Sequence, residues 1–544
     1  MRRIAISLTI LIWFCAGPAF AQTFSPEDFG AVGDCVSNDA PAIASALSAA
    51  TATRGVVTFG PRCYATGSAG WTGFAIASKS FFKLEGHGTT LKLLNATTQT
   101  DAVGASNPWF KITSSIDWTV EGITFDLGSI AAQAIYSQGH TRAWITRNRF
   151  VATSGTNYGV FLIGGAGAHV TDNEFGGVFH AVYLGHTTNP YHETEFVVAQ
   201  NHMKTLGGGD CVVGTMKRGT ITGNLCDGSF SGVALSAYNV QGTFSDTITI
   251  SGNTFLNQTA HCIQFDIVGT GITNKNITIG PNTCIAPIGS GYYFGGGQID
   301  GLSISGGVIR NPGQSGIVIY PPSTGIAIGG GLVIDGTTGA PAGNGIQVTA
   351  ENTSNGIVDV SIGDVTVRGF DGSGACGVVL SRNTSGTGKN ITISGGTYTL
   401  NTRGICIYGA AGTFSNVTIA NNTMAENIGY DFRLDSTDVV GVHTNKFTTD
   451  DGNLIPAFTN GDTTPSVKGR DRWRVNNTGA TNITFLDDGV TGQIVTLEFQ
   501  NGNTTLVNGG SFLLKSGSNT TPAGNAHVTL EYRGSVWREV SRSY

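Results

Sequence analysis

A two-strand unit recurs between Trp118 and Cys284, and it constrains the fold more than any other feature of the chain. One half places an Asn two residues before an apolar residue: WITRNRF ends at Phe150, HVTDNEF at Phe175 and VVAQNHM at Met203. TITGNLC at Cys226, TISGNTF at Phe255 and TIGPNTC at Cys284 continue the series. The other half is a short apolar strand: AIYSQGH, GVFLIGG, AVYLGHT, CVVGTMK, GVALSAY and CIQFDIV. Repeats of roughly 20–50 residues built from short alternating strands mark a solenoid.

The equivalent positions select a right-handed single-stranded parallel β-helix. Asn148, Asn173, Asn201, Asn224, Asn253 and Asn282 share one position, and Asn422 and Asn445 resume it. Asn tolerates the left-handed conformation of a tight turn, and at a strand spacing of ~4.8 Å its side chains can bond along a ladder. Two residues on, Phe150, Phe175, Met203, Cys226, Phe255 and Cys284 predict an apolar stack inside the coil. Ile135, Val160, Val182, Val212, Val233 and Ile263 predict an inward column in the second strand. About twelve such coils are expected within an all-β domain spanning 22–450.

Residues 1–21 carry Arg2 and Arg3, an apolar run from Ile4 to Phe14, and a small-residue end at Ala19-Phe20-Ala21. That pattern predicts a signal peptide cleaved near Ala21, and the run is too short to span a membrane. The mature protein is expected to be secreted, periplasmic or at the cell surface. A charged fraction of 12% and 80 glycines in 544 residues suit turn-rich β structure. A net charge of −6 argues against nucleic acid as a partner.

Of nine cysteines, eight follow the signal segment, an even number for an oxidising compartment. Cys211 opens a second-type strand and Cys226 closes the next first-type strand; Cys262 and Cys284 repeat that relation. The repetition nominates these two bridges, against a reading in which Cys226 and Cys284 only fill the Phe column. Cys35 and Cys63 form a third candidate pair. Cys376 and Cys406 show no clear geometry.

The region after residue 21 reads FSPEDFGAVGDCVSNDAPAIASALSAA, followed by GVVTFGPRCYAT. Asp28-Phe29-Gly30-Ala31-Val32-Gly33-Asp34, Asn38-Asp39, the Ala/Ile/Leu helix and Val57 to Tyr64 resemble the pectate lyase superfamily in its broad sense. That group includes polygalacturonase-like hydrolases and phage tailspike depolymerases. The resemblance implies a parallel β-helix acting on polysaccharide, and Cys35 departs from it where the family has Gly. Physically, Asn38 or Asp39 caps a helix whose Ile43 and Leu47 share a face, and such a helix covers the open end of the solenoid.

A polar linker is expected at 451–468 and an antiparallel β module at 469–544, which caps the last coil or mediates a homotrimer. Its strands read RWRVNNTG, NITFLDD, GQIVTLEFQNG, HVTLEYRG and VWREVSRS.

The residue before each second-type strand forms a further column: Gln133, Tyr158, His180, Asp210, Ser231, His261. Polygalacturonase-like hydrolases place catalytic acids in what resembles this column, but only Asp210-Cys211 matches their Asp-Asp-Cys motif. Glycoside hydrolysis needs two carboxyl groups, and Gly209 stands where the second belongs. Tyr158, His180, Asp210 and His261 suit β-elimination of a uronate better, with His as base and Asp210 orienting it. Arg149, Glu174, His202 and Lys204 form a polar file expected at the same edge, with Arg149 or Lys204 holding the uronate. The alternative for the column is a turn ladder without chemistry.

Outward positions give Tyr136, Phe161 and Tyr183 on consecutive coils, then Tyr293, Tyr320 and Tyr408. A file of aromatic faces suits a saccharide chain, with Lys217, Tyr238, Asp266 and Arg382 as polar edges. The sequence thus predicts an exported polysaccharide lyase. A polygalacturonase-like hydrolase and a non-catalytic polysaccharide-binding spike or adhesin are the rivals. No metal is assigned, and a calcium requirement stays open.

Overall fold

The computed structural model describes residues 22–543 except 102–106, 154–156, 187–191, 205–207, 239–244, 269–272, 321, 351–355, 383–385, 409–412, 429, 435–439, 444, 448–456, 468–470 and 490. The expected signal segment lies outside the described residues, as do the side chains of Tyr238 and Asp266.

Strands from successive coils pair in parallel into two long sheets. Among the described residues, one of 31 strands collects the first-type halves, folded in two at the corner that the Asn ladder marks, and one of 14 strands collects the second-type halves. The molecule is a right-handed parallel β-helix of about 16 turns, more than the twelve expected. Part of the excess lies at the N-terminal end. Strands Phe74–Ala77 and Pro108–Thr113 join the second sheet before the Asn repeat becomes legible.

Register places the anticipated columns together. Phe125, Phe150, Phe175, Met203, Cys226, Phe255 and Cys284 are successive partners, all buried. The Phe125, Phe150 and Phe175 rings stack with centroids 5.1 and 4.7 Å apart. Ile135, Val160, Val182, Val212, Val233 and Ile263 line up in the same way and face the core. Each buried aliphatic chain contributes ~1.5–3 kcal/mol, so the interior column is the main source of stability.

The asparagines form the expected ladder. From Asn148 to Asn282, each backbone N–H donates to the next Asn Oδ1 at 2.9–3.0 Å. Each Asn Nδ2 also donates to the next Oδ1, at 2.9–3.2 Å. The ladder stops where Gly307 follows Asn282, and Asn422 to Asn445 resumes it. One expectation is corrected. From Asn148 to Asn253 the left-handed residue is the one before the Asn, with φ of 55° at Arg147, 57° at Asp172 and 56° at Gln200, whereas Pro281 precedes Asn282. The asparagine must turn its side chain inward to bond along the axis, so the chain reverses one residue earlier.

Helix Ala40–Thr53 buries Ile43 and Leu47 against the first coil. Asn38 Oδ1 caps it by accepting the Ala40 N–H at 3.2 Å. Asp39 instead accepts the N–H groups of Val32 and Gly33, at 2.6 and 3.1 Å, and so anchors the preceding loop.

Disulfides join Cys35–Cys63, Cys211–Cys226 and Cys262–Cys284, and a fourth joins Cys376–Cys406. Among the described residues, no helix is long and apolar enough to cross a membrane.

The C-terminal module has its own hydrophobic cluster, separate from that of the coils. Strands Ile494–Phe499, His527–Tyr532 and Trp537–Ser543 pair antiparallel as expected, while Arg472–Val475 adds in parallel. Phe458 and Val467, within the expected linker, are buried in this cluster. Phe458 stacks on Trp473 at 5.0 Å, so apolar residues tie that segment to the module.

Candidate functional site

The column before the second-type strands is assembled as the spacing predicts: Gln133, Tyr158 and His180 are register partners, and Asp210 follows. Its bonding decides what it can do. The Asp210 backbone N–H donates to His180 Nδ1 at 3.0 Å, and the Ser231 N–H donates to Asp210 Oδ1 at 3.0 Å. The motif recurs downstream, where Ser290 N–H donates to His261 Nδ1 at 3.0 Å and Asn344 N–H to Ser315 Oγ at 3.0 Å. Each side chain thus satisfies an amide of the next coil.

A ring nitrogen that accepts an N–H carries no proton, so neutral His180 bears its hydrogen on Nε2. Its Nδ1 lone pair is occupied and its Nε2 is a donor. The expected role of His180 as base is therefore corrected: as placed, it can donate but not abstract. The Asp210 carboxylate lies 3.5 Å from Nδ1 with no proton between them, so the amide of Asp210 and not its carboxylate holds the ring. Burial pulls the His180 pKa from 6.5 to about 4. Burial also lowers the pKa of His261 and, with the charge of Asp101, raises that of Tyr158. Tyr158 stacks on His180 with centroids 5.3 Å apart, its phenol protonated at neutral pH.

This depressed histidine is expected to make the fold acid-labile. An unfolded His takes its proton near pH 6.5, whereas folded His180 resists until about 4. Its contribution is complete above pH 6.5 and lost as pH falls through about 4, to the extent of about 3 kcal/mol for a shift of this size. Melting curves from pH 7 to 4 are expected to fall, and His180→Gln, which keeps an acceptor for the Asp210 amide, to flatten that fall. Equal slopes in both proteins would contradict the assignment.

The expected aromatic file is in register, Tyr136 beside Phe161 beside Tyr183, but its faces are not open. Relative exposures are 0%, 4% and 9%, and the rings pack with Ile163, Val213 and Ala234 into a cluster outside the coil. Apolar rings on an outward face gain more by covering one another than by facing water. His186 borders this cluster, 6.2 Å from Phe161 and 6.3 Å from Tyr183, and burial lowers its pKa. Nothing in the repeat pattern marked His186, which follows its strand.

Further along the same sheet the face opens. His261 stacks on Tyr293 at 4.5 Å and 9°, and Tyr320 meets Tyr293 edge-on at 5.9 Å. Gln347 Nε2 donates to Tyr320 Oη at 3.4 Å, and Asn344 Nδ2 to Gln347 Oε1 at 3.1 Å. All five are partly exposed. Tyr408 extends the strip, held by Arg403 Nη1 at 2.8 Å with the Arg433 guanidinium over its ring at 5.3 Å.

Arg149, Glu174 and His202 are brought together as register partners, but at a different corner from the column. They begin the strands just after the Asn turn, whereas Tyr158 and His180 begin strands of the other sheet, and this corrects the expectation of a shared edge. With Arg147, Asp172 and Gln200 they line a shallow groove of about 430 Å³. Lys204 ends its strand and is not among the lining residues. Arg149 Nε lies 3.3 Å from Glu174 Oε1, both half exposed, a pairing worth ~0–1 kcal/mol. Among the described residues, no cluster of His, Cys, Asp and Glu is suited to a metal ion.

No family model matches the chain, and no curated protein does. Similar solved structures include the A-module of an Azotobacter vinelandii mannuronan C-5 epimerase, at 17% identity and a TM-score of 0.41 over 79% of this chain and all of that one. An exopolygalacturonase from Thermotoga maritima matches at 10% identity and a TM-score of 0.38, over 58% of this chain and 92% of its own. A Streptococcus pneumoniae surface protein and adhesin, PfbA, matches at 16% and 0.34, over 78% and 97%. Likenesses this low carry no argument about activity.

Proposed function

We propose that this chain is an exported protein that holds a polysaccharide along the outer face of its fourteen-stranded sheet. The observation that carries this reading is the open strip of His261, Tyr293, Tyr320, Asn344 and Gln347, where three rings on consecutive coils lead into a pair of amides. Pyranose rings present apolar C–H faces and polar rims, and a strip of rings and amides complements both. The four disulfides suit an oxidising compartment.

The second reading adds β-elimination of a uronate-containing glycan near the closed aromatic cluster. It is favoured by a protonated phenol at Tyr158, which can protonate a leaving oxygen, and by a neutral imidazole at His186, which can take a proton. His180, donating through Nε2, then positions substrate. A hydrolase reading lacks the second carboxylate beside Asp210.

Incubation with acidic and neutral polysaccharides separates these readings, following ultraviolet absorbance of unsaturated ends, new reducing ends, and binding. Tyr293→Ala with Tyr320→Ala is expected to weaken binding at least tenfold without lowering Tm by more than a few degrees. Binding unchanged in that folded double variant would sink the strip. Unsaturated product that disappears in His186→Ala would establish the elimination reading, and reducing ends without unsaturation would replace it with hydrolysis.

A further inference from the structure

From Asn148 to Asn253 the corner before the Asn holds a left-handed residue, and glycine fills it most cheaply. Gly122 stands there one coil before Arg147, and Gly223 and Gly252 stand there after Gln200, with φ of 69°, 65° and 68°. Three consecutive coils instead carry Arg147, Asp172 and Gln200 there, at φ of 55–57°, as Asp364 and Asn421 do singly further on. Glycine reaches this conformation without steric cost, whereas a long side chain is strained in it. Backbone strain retained on neighbouring coils points to a use for the side chains. These same coils carry Arg149, Glu174 and His202 on the other side of the corner, and together the six line the groove.

We infer that this groove is a second saccharide site, separate from the sheet face, and that it takes a carboxylate-bearing sugar residue of a polysaccharide. The inference rests on the proposed function for the saccharide class alone. Arg147 and Arg149 flank Asn148 with side chains 65% and 56% exposed, and a guanidinium fork matches a carboxylate with two hydrogen bonds. Their present partners are Glu121, 2.7 Å from Arg147, and Glu174, 3.3 Å from Arg149. The exposed Arg149–Glu174 pair in particular is weak and exchangeable. Asp172, Glu174 and Gln200 supply acceptors for sugar hydroxyls on the next two coils, at one coil per ~4.8 Å. On the strand leading into the corner, Trp144 stacks on His169 at 5.9 Å and 10°, and both are partly exposed. A flat aromatic pair beside a polar groove offers a ring face for a neighbouring sugar.

The glycine pattern supplies the test. The triple variant Arg147→Gly, Asp172→Gly, Gln200→Gly removes the groove side chains while installing the residue that the corner prefers. It is expected to melt at or above the temperature of the wild type. In native gels cast with alginate or polygalacturonate, wild type is expected to be retarded and the triple variant to lose at least tenfold in apparent affinity, while dextran retards neither through this corner. The comparison is repeated on a Tyr293→Ala, Tyr320→Ala background, which removes the sheet strip. Retardation that survives on that background and vanishes with the glycine substitutions supports the corner site. No retardation on that background, or retardation indifferent to the glycines, overturns it and leaves the sheet-face reading standing. Equal loss in dextran gels overturns carboxylate recognition. Should the triple variant fold poorly, Arg149→Gln with His202→Gln, at exposed positions outside the left-handed corner, answers the same question.

Discussion

Val182→Asp is expected to leave no cooperatively folded β-helix at temperatures where the wild-type protein is intact. Val182 is fully buried, between Val160 and Val212 in register, and its neighbours on the inward face are aliphatic. A carboxylate there has no cation to meet, and leaving a charge unpaired in such a place costs ~3–5 kcal/mol or more. The cost is not confined to one coil. In a solenoid each coil is stable only through its neighbours, so a coil that cannot close removes two stacking interfaces. Thr249→Asp, on the outward face of a first-type strand, is the control, expected within ~0.5 kcal/mol of wild type. Circular dichroism melting and limited proteolysis read both; an unshifted melting curve for Val182→Asp would overturn the assignment of the inward column.

The inward columns were legible in the sequence because they obey a period of two on strands that recur. The residue pattern alone placed Val182 between Val160 and Val212, and it placed Cys211 near Cys226 and Cys262 near Cys284 for the same reason. Cys376 and Cys406 defeated this reasoning. Cys376 is the register partner of Arg403 and Cys406 that of Val379, so their bridge runs diagonally across neighbouring strands outside the coil core. The corner was misread by one residue, since Asn serves equally well as ladder member and as left-handed residue, and only backbone geometry separates the two uses. Whether an outward ring is covered is not a periodic property either. Tyr136 and Tyr293 occupy one column, yet the first is sealed in a cluster and the second is partly exposed. His140 and Glu193 make a related point: they share a column with Gly165 between them, and because Gly165 has no side chain they meet across it at 2.9 Å, both fully buried, which no residue pattern announced. Within the candidate column, position was legible and chemistry was not. The spacing put His180 beside Asp210, but the Asp210 amide, which no sequence pattern reveals, decides which ring nitrogen is free to react.

Asn201→Leu is expected to be the most damaging change that introduces no charge. Asn201 Oδ1 accepts the Asn173 N–H and Nδ2–H, both at 3.0 Å, and its Nδ2 donates to Val170 O at 2.8 Å and Asn224 Oδ1 at 2.9 Å. Leucine has nearly the same volume, so no large cavity opens, and the loss is one of bonding. Four buried polar groups on Asn173, Val170 and Asn224 lose a partner, and water has little access because Asn201 is 1% exposed. Each group left unsatisfied costs ~1–3 kcal/mol, and Asn224 Oδ1 keeps the Asn201 backbone N–H, so a net destabilisation of about 3–6 kcal/mol is expected. Position along the ladder sets the size of the effect. Asn282 ends its run, so Asn282→Leu leaves Asn253 without its acceptor but breaks no bond to a following asparagine, and is expected to cost less. Asn201→Asp separates bonding from shape: it keeps the acceptor that Asn173 uses and loses both donors, leaving Asp opposite the Asn224 Oδ1 and the Val170 carbonyl. At neutral pH it is expected to be as damaging as Leu, and to recover stability as pH falls and the carboxyl regains a proton to donate. Melting temperatures of the three variants against pH decide the matter, and an Asn201→Leu protein as stable as Asn282→Leu would show that the ladder decorates the turn rather than holding it.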